Sequence, residues 1–323
     1  MESVFRPEGE ILNTKENRDL LATRSGLERA MKAGVTVEGI ATVCDSEMRL
    51  QVDLGCMRGI ILPDEAFFCR AGETRKDIAV VSRVGKPVAV KILSFTEHNG
   101  ETIAVLSRRA AQKDCFDRYL MQLTPGDLVT GRVTHMEPFG AFLDISCGIS
   151  SLLSVDCISV SRISHPRDRL SVGMLTPVAV KSVDRESGRI ALTMRELLGT
   201  WEENAAAFAA GQTVTGIIRS VENYGVFIEL APNLAGLAEV RSEDQTETMR
   251  SLIGKAVAVY IKSINPEHMK VKLVVVDIAP CRMPPRTPHL FVDAEKITHL
   301  DRWIYSPACC SRTVGTVFDP HNA

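Results

Sequence analysis

One short segment, used more than once, constrains this chain more than any bulk property. Gly131–Ile145 reads GRVTHMEPFGAFLDI. Val129–Thr134 alternates apolar and polar side chains, the pattern of a half-buried strand. A Pro-Phe-Gly-Ala-Phe turn follows, and Phe142, Leu143 and Ile145 carry a second short strand into Ser146-Cys147-Gly148. Moving 85 residues along the chain lays Gly126 on Gly211, Thr130 on Thr215 and Gly131 on Gly216. The same shift takes Phe139 to Tyr224, Gly140 to Gly225 and Phe142 to Phe227. Moving back by 92 lays Gly126 on Gly34, Val129 on Val37 and Gly131 on Gly39. Internal repeats outrank local propensity, so the architecture expected is three copies of one five-strand unit.

The expected fold class is mostly β: tandem five-stranded OB-type barrels joined by short helical linkers. Residues 1–33 form a polar lead with a helix over Asn17–Lys32, stopped by Gly34. The first, divergent unit spans 34–110, and a connecting helix lies near 109–123. The second spans 124–198, the third 211–278. Between them Glu196–Ala210 has helix-forming composition, with Trp201 as a packing anchor. These linkers are expected to let the units reorient in an extended chain. The extension 279–323 begins with the Pro-rich CRMPPRTP. Its ITHLDRWIYSP segment is expected to dock on the third unit or to serve as a partner-binding peptide.

A formal net charge of −2 argues against a strongly basic nucleic-acid binder. Residues 124–198 hold 8 Lys and Arg against 8 Asp and Glu, so any nucleic-acid contact must come from local placement and ring stacking. No signal-peptide core or membrane-length apolar run occurs, and the nine cysteines, with no CxxC pair, read as reduced thiols in a cytoplasmic protein. Cys281, Cys309, Cys310, His289 and His299 match no zinc spacing, and no metal or cofactor is expected. No P-loop, HExxH or GxSxG motif appears, and His135 and His165 stand in no catalytic arrangement, so no enzyme is expected.

In an OB-type barrel the second and third strands form the usual binding face. Phe139 and Phe142 sit there three residues apart, so strict alternation would put them on opposite faces; a bulge at Gly140 could bring both to one side. Exposed rings would stack on unpaired bases at roughly 1–3 kcal/mol each, the alternative being core rings. Arg132, Lys181 and Arg189 could contact phosphates nearby, the alternative being solvated charges.

Gly-x-Val, Phe-Gly-Ala-Phe, Val-x-Val-Lys and Gly-Arg-Ile-x-Leu in this order resemble the S1 RNA-binding domain, and LLGTWEENA resembles the inter-repeat linkers of the bacterial ribosomal protein S1 family. The resemblance covers roughly residues 34–278. It implies OB barrels, single-stranded RNA as ligand, no enzymatic activity, no small-molecule substrate, and a role holding mRNA on the 30S subunit. It carries the stacking pair to Phe139 and Phe142, and to Tyr224 and Phe227. Arg189 matches the family's fifth-strand arginine, with Lys270 in that place in the third unit, and Asp184 matches its acidic partner across a turn one residue longer. Lys262 completes the RNA-binding set. Where the family often has a third-strand histidine, this chain has Ser154 and Glu239, and Glu239 is expected to weaken the third unit by repelling phosphate. The first unit has no aromatic pair between Val43 and Leu54 and reads as a spacer or protein-docking module. An RNA-decay or transcription factor and an OB-fold interaction scaffold remain the alternative functions.

Overall fold

The structure, a computed structural model, describes residues 5–70, 77–98, 100–240, 243–281 and 288–319. Its alternating segments close into three barrels. The first contains β1 (Val37–Cys44), β2 (Leu50–Asp53), β3 (Arg58–Ile61), β4 (Pro87–His98) and β5 (Glu101–Ser107). The second contains β6 (Leu128–Glu137), β7 (Gly140–Ser146), β8 (Ile149–Ser154), β9 (Leu175–Asp184) and β10 (Arg189–Thr193). The third contains β11 (Thr213–Glu222), β12 (Gly225–Ala231), β13 (Leu234–Ala238), β14 (Ala256–Asn265) and β15 (Lys270–Cys281). In each, three strands meander, the fifth pairs in parallel with the third, and the fourth closes against the first. Closure removes the free edges that strands this short would otherwise expose. The first unit, with the faintest sequence match, has the same topology.

Two features recur at matching places. Gly39, Gly131 and Gly216 lie where the first strand runs over core side chains of the second. A Cβ on Gly131 would meet Leu143 at 2.8 Å, and one on Gly216 would meet Ile228 at 2.4 Å. The register then slips once between the first two strands, at Thr42, Thr134 and Arg219, and again at one shared place on the fourth strand, at Leu93, Lys181 and Lys262. These bulges supply the bend that a small barrel needs. The bend near the aromatic pair is therefore on β6 at Thr134, not at Gly140 as the residue pattern suggested. Gly140 answers a different demand: a Cβ there would meet the Leu153 carbonyl oxygen at 2.6 Å.

The single helix expected over 17–32 is two, α1 (Lys15–Leu21) and α2 (Arg24–Ala33). Thr23 turns extended between them, and its side chain accepts from the Gly26 N–H at 3.1 Å, starting a new helix. Gly34, at φ 62°, ends α2 as expected. After α3 (Asp77–Val81), α4 (Arg108–Arg118) connects the first two barrels, α5 (Trp201–Ala205) the last two, and α6 (Glu243–Ser251) bridges β13 and β14. Among the described residues no helix is long and apolar enough to cross a membrane. Each barrel has its own apolar core, and Trp201, 2% exposed, belongs to the third.

Against the expectation that the linkers let the units reorient, buried ion pairs and hydrogen bonds join the barrels. Between the first and second, the Glu8 carboxylate accepts from Arg108 Nε at 2.7 Å, Arg83 Nη1 at 3.3 Å and the Ala89 N–H at 3.1 Å. The Glu8 N–H donates to Asp144 Oδ2 of β7 at 2.7 Å. Burial alone would push the Glu8 carboxyl up; Arg108, Arg83 and the Ala89 N–H together hold it below the usual range. Asp144, fully enclosed beside that charge, is pushed up to about 7. Between the second and third, Glu229 of β12 accepts from Arg169 Nη2 at 2.5 Å and Arg219 Nε at 2.7 Å, and Arg219 also reaches Asp168 at 2.8 Å. Burial makes the Arg169 charge harder to keep; Glu229 opposes that effect and Arg219 adds to it. The Asn233 amide donates to the Arg195 and Gly199 carbonyls at 2.8 Å, and its oxygen accepts from the Val160 N–H at 2.9 Å.

The C-terminal extension docks on two barrels rather than on the third alone. Leu290, Val292 and Leu300 pack on the second core, Trp303, Tyr305 and Val314 on the third. The Leu128 N–H donates to the Thr298 carbonyl at 2.8 Å, and the Tyr305 hydroxyl to the Asn233 carbonyl at 2.7 Å. A small hairpin, β16 (Arg302–Ile304) with β17 (Gly315–Val317), completes it. The Pro-rich linker over 282–287 and the Cys281 side chain lie outside the described residues. Among the described residues no group of three or more His, Cys, Asp or Glu side chains could hold a metal.

Candidate nucleic-acid interface

On the second barrel, cross-strand pairing lines up one outward row. His135 of β6 opposes Phe142 of β7, Phe142 opposes Leu152 of β8, Leu152 pairs with Ala191 of β10, and Ala191 with Ser182 of β9. Their neighbours Leu143, Leu153 and Leu192 point into the core. Phe139 lies in the hairpin turn before β7, outside the strand alternation, and is 56% exposed. Its ring meets Phe142 edge-on, centroids 6.0 Å apart, so both rings stand on one side without a bulge at Gly140. His135 lies against the same Phe142, centroids 6.1 Å apart and planes 26° apart.

The cations are placed unequally. Lys181 is exposed on the β9 bulge, with its ammonium 3.3 Å from Cys157 Sγ. Arg189 is exposed at the start of β10, opposite Asp184. Asp184 is occupied by the turn between them, accepting from the Glu186 N–H at 3.0 Å and the Ser187 N–H at 3.1 Å; those bonds, with the Ser187 hydroxyl first among them, hold its carboxyl below the usual range. Arg132 is not brought to the rings. It faces the N-terminal lead, pairing with Glu10 and donating to the Gly173 carbonyl at 3.2 Å.

The third barrel repeats the arrangement. Tyr224 is 64% exposed in its hairpin turn, and its ring meets Phe227 edge-on at 6.1 Å. Lys262 stands on the β14 bulge, and Lys270 opposes Asn265 where Arg189 opposes Asp184. Lys272 stands where the second barrel has Ala191, a cation that the repeat alignment did not single out because alternation, not a motif, puts it on this face. His135 was passed over for the same reason: only the register shift at Thr134 sets it opposite Phe142. In the first barrel Gln51 takes the place of Phe142, Leu93 that of Lys181, and Ile103 that of Arg189. None of the three supplies the ring or the cation found there in the other barrels, and the arginines that line the groove beside Gln51 and Ile103, Arg49 and Arg58, are ion-paired to Asp45, Glu47 and Glu101.

Comparison with known proteins bears on the second barrel first. Residues 122–195 match the S1 RNA binding domain. The matched segment contains Phe139, Phe142, Lys181 and Arg189. Over 200 residues the chain is 30% identical to small ribosomal subunit protein bS1 of Staphylococcus aureus, covering 59% of this chain and 50% of that protein. It is 31% identical over 199 residues to the bS1 of Leuconostoc lactis, covering 58% and 45%. The chain thus resembles bacterial ribosomal protein S1, and it spans about half the length of the curated relatives it matches.

Proposed function

We propose that the second and third barrels bind single-stranded RNA on their aromatic faces. Phe139, Phe142, Tyr224 and Phe227 stack on bases, and Lys181, Arg189, Lys262 and Lys270 meet phosphates. One observation carries this reading: two barrels present the same edge-on ring pair at the same hairpin, beside a lysine on the same bulge. The turn ring of each pair, Phe139 or Tyr224, is more than half exposed and so can take a base on its face, with its strand partner bracing it. Arg132 and Asp184 act indirectly, one by seating the lead and the other by shaping the turn that presents Arg189. The first barrel is a non-binding support. By its likeness to ribosomal protein S1, the chain acts without catalysis in the cytoplasm, holding mRNA near the small ribosomal subunit.

Fluorescence anisotropy of a labelled single-stranded RNA, with a duplex of the same sequence alongside, tests this. Four phosphate-facing cations predict a log–log salt slope of about −3. Single strand bound more tightly than duplex supports the reading. Equal affinity for duplex, or no binding by folded protein, overturns it.

A further inference from the structure

We propose that the groove on the third barrel between β13, β15 and α6 is a guanine-reading subsite, with Glu239 as the group that reads the base. This rests on the RNA-binding reading above and adds a base preference to it.

The groove has a volume of about 470 Å³, ample for a purine nucleotide. Val226, Leu273 and the buried Met249 line it with apolar surface, while Glu239, Lys262 and Lys272 are charged groups on its wall. It is continuous with the aromatic face. Leu237, part of its lining, sits opposite Phe227 on one side and beside Lys272 on the other. A strand stacked on Tyr224 and Phe227 therefore delivers its next nucleotide one strand spacing away, about 4.8 Å. The second barrel has no counterpart in its charge. Ser154 stands where Glu239 does, and buried Cys157 and Ile158 follow it.

A carboxylate only accepts hydrogen bonds, through two oxygens side by side. The Watson–Crick edge of guanine presents two adjacent donors, N1–H and N2–H, and matches it. Adenine and cytosine offer one amino donor beside a ring nitrogen that would face the carboxylate lone pair to lone pair. Uracil flanks its single N–H with two carbonyl oxygens. The charge that disfavours phosphate thus favours one base, and Lys262 and Lys272 draw the backbone to the other side. A nucleotide entering the groove is oriented by both ends.

The test compares three short RNAs by anisotropy: an oligouridine, the same strand with one central guanosine, and the same strand with one central adenosine. A bidentate pair predicts that the guanosine strand binds about tenfold more tightly than the adenosine strand. Glu239→Gln should abolish or reverse the guanosine preference, because an amide, donor and acceptor side by side, also suits adenine, while oligouridine affinity holds or rises once the charge that repels phosphate is gone. Because Glu239 is exposed, its variant keeps the melting temperature of the parent. Equal affinity for the guanosine and adenosine strands, or a guanosine preference that survives Glu239→Gln, overturns the subsite while RNA binding stands. Failure of all three strands to bind folded protein overturns the RNA-binding reading and the subsite with it.

Discussion

Replacing Glu229 with Gln should cost the third barrel about 3 kcal/mol or more. The side chains of Arg169, Glu229 and Arg219 are 4%, 5% and 6% exposed, so water cannot take over for a missing partner. Glu229 is the carboxylate that Arg169 and Arg219 share; Arg219 also ion-pairs with the Asp168 carboxylate, whereas Arg169 reaches only the Asp168 backbone carbonyl. An amide of the same shape would turn a donor toward one guanidinium and leave Arg169 with no carboxylate in direct contact, only the weaker charge interaction with Asp168. Breaking a buried pair on one side costs about 3–5 kcal/mol, a large share of a domain's usual 5–15. Both tryptophans of the chain, Trp201 and Trp303, pack in or against the third core, so their emission follows that barrel in a urea titration. With a slope of about 1–3 kcal/mol per molar, the midpoint should fall by about 1–3 M. Adding Arg169→Met should recover part of the loss by removing the stranded charge. A loss under about 1 kcal/mol for Glu229→Gln would refute the view that this network locks the two barrels.

Phe139→Ala should lower single-stranded RNA affinity by about 1–3 kcal/mol and leave thermal stability nearly unchanged, since over half of the ring is already exposed. Phe142→Ala should lower both, because that ring also packs between His135 and Leu152; anisotropy and melting curves on the two variants separate the cases. Burial raises Glu38 from 4.5 to about 7, with the Glu8 charge adding to it, and one of its carboxylate oxygens has no partner. The folded state thus keeps a proton that the unfolded chain releases near 4.5, so this group makes stability fall as pH rises from about 4.5 to 7, by up to roughly 3 kcal/mol. Glu8, held low, acts oppositely and loses its contribution only as pH drops through the acid range. In urea melts between about pH 5 and 8, Glu38→Gln should flatten the decline in part, with Asp144 keeping the remainder.

The barrels were legible because their determinants are local. Alternation, the glycine on each first strand and the aromatic-glycine-aromatic hairpin all lie within about twenty residues of one another. What joins the barrels was not. Glu8 reaches Asp144 across 136 positions and Arg169 reaches Glu229 across 60, and in composition each is one charge among many. The two rings do stand on one side, but by another route than the residue pattern suggested: a turn position, not a bulge at Gly140, frees Phe139 from alternation. Arg132 looked like Lys181 in the sequence, yet the lead that covers it comes from residue 10, far outside the repeat. Lys272 was invisible because counting from a matched motif stops at Lys270, whereas alternation sets the face two residues later.

The fourth-strand bulge has a consequence of its own. A bulged residue is out of register with the partner strand, and its side chain is carried to the outside of a closed sheet. Leu93, Lys181 and Lys262 occupy that place in the three barrels, and each is exposed. The barrel therefore has a socket into which a cation or an apolar group can be fitted with no repacking behind it. Ligand contact and folding are decoupled at that point, so a phosphate contact can be gained or lost there by a single exchange while the barrel behind it stays the same.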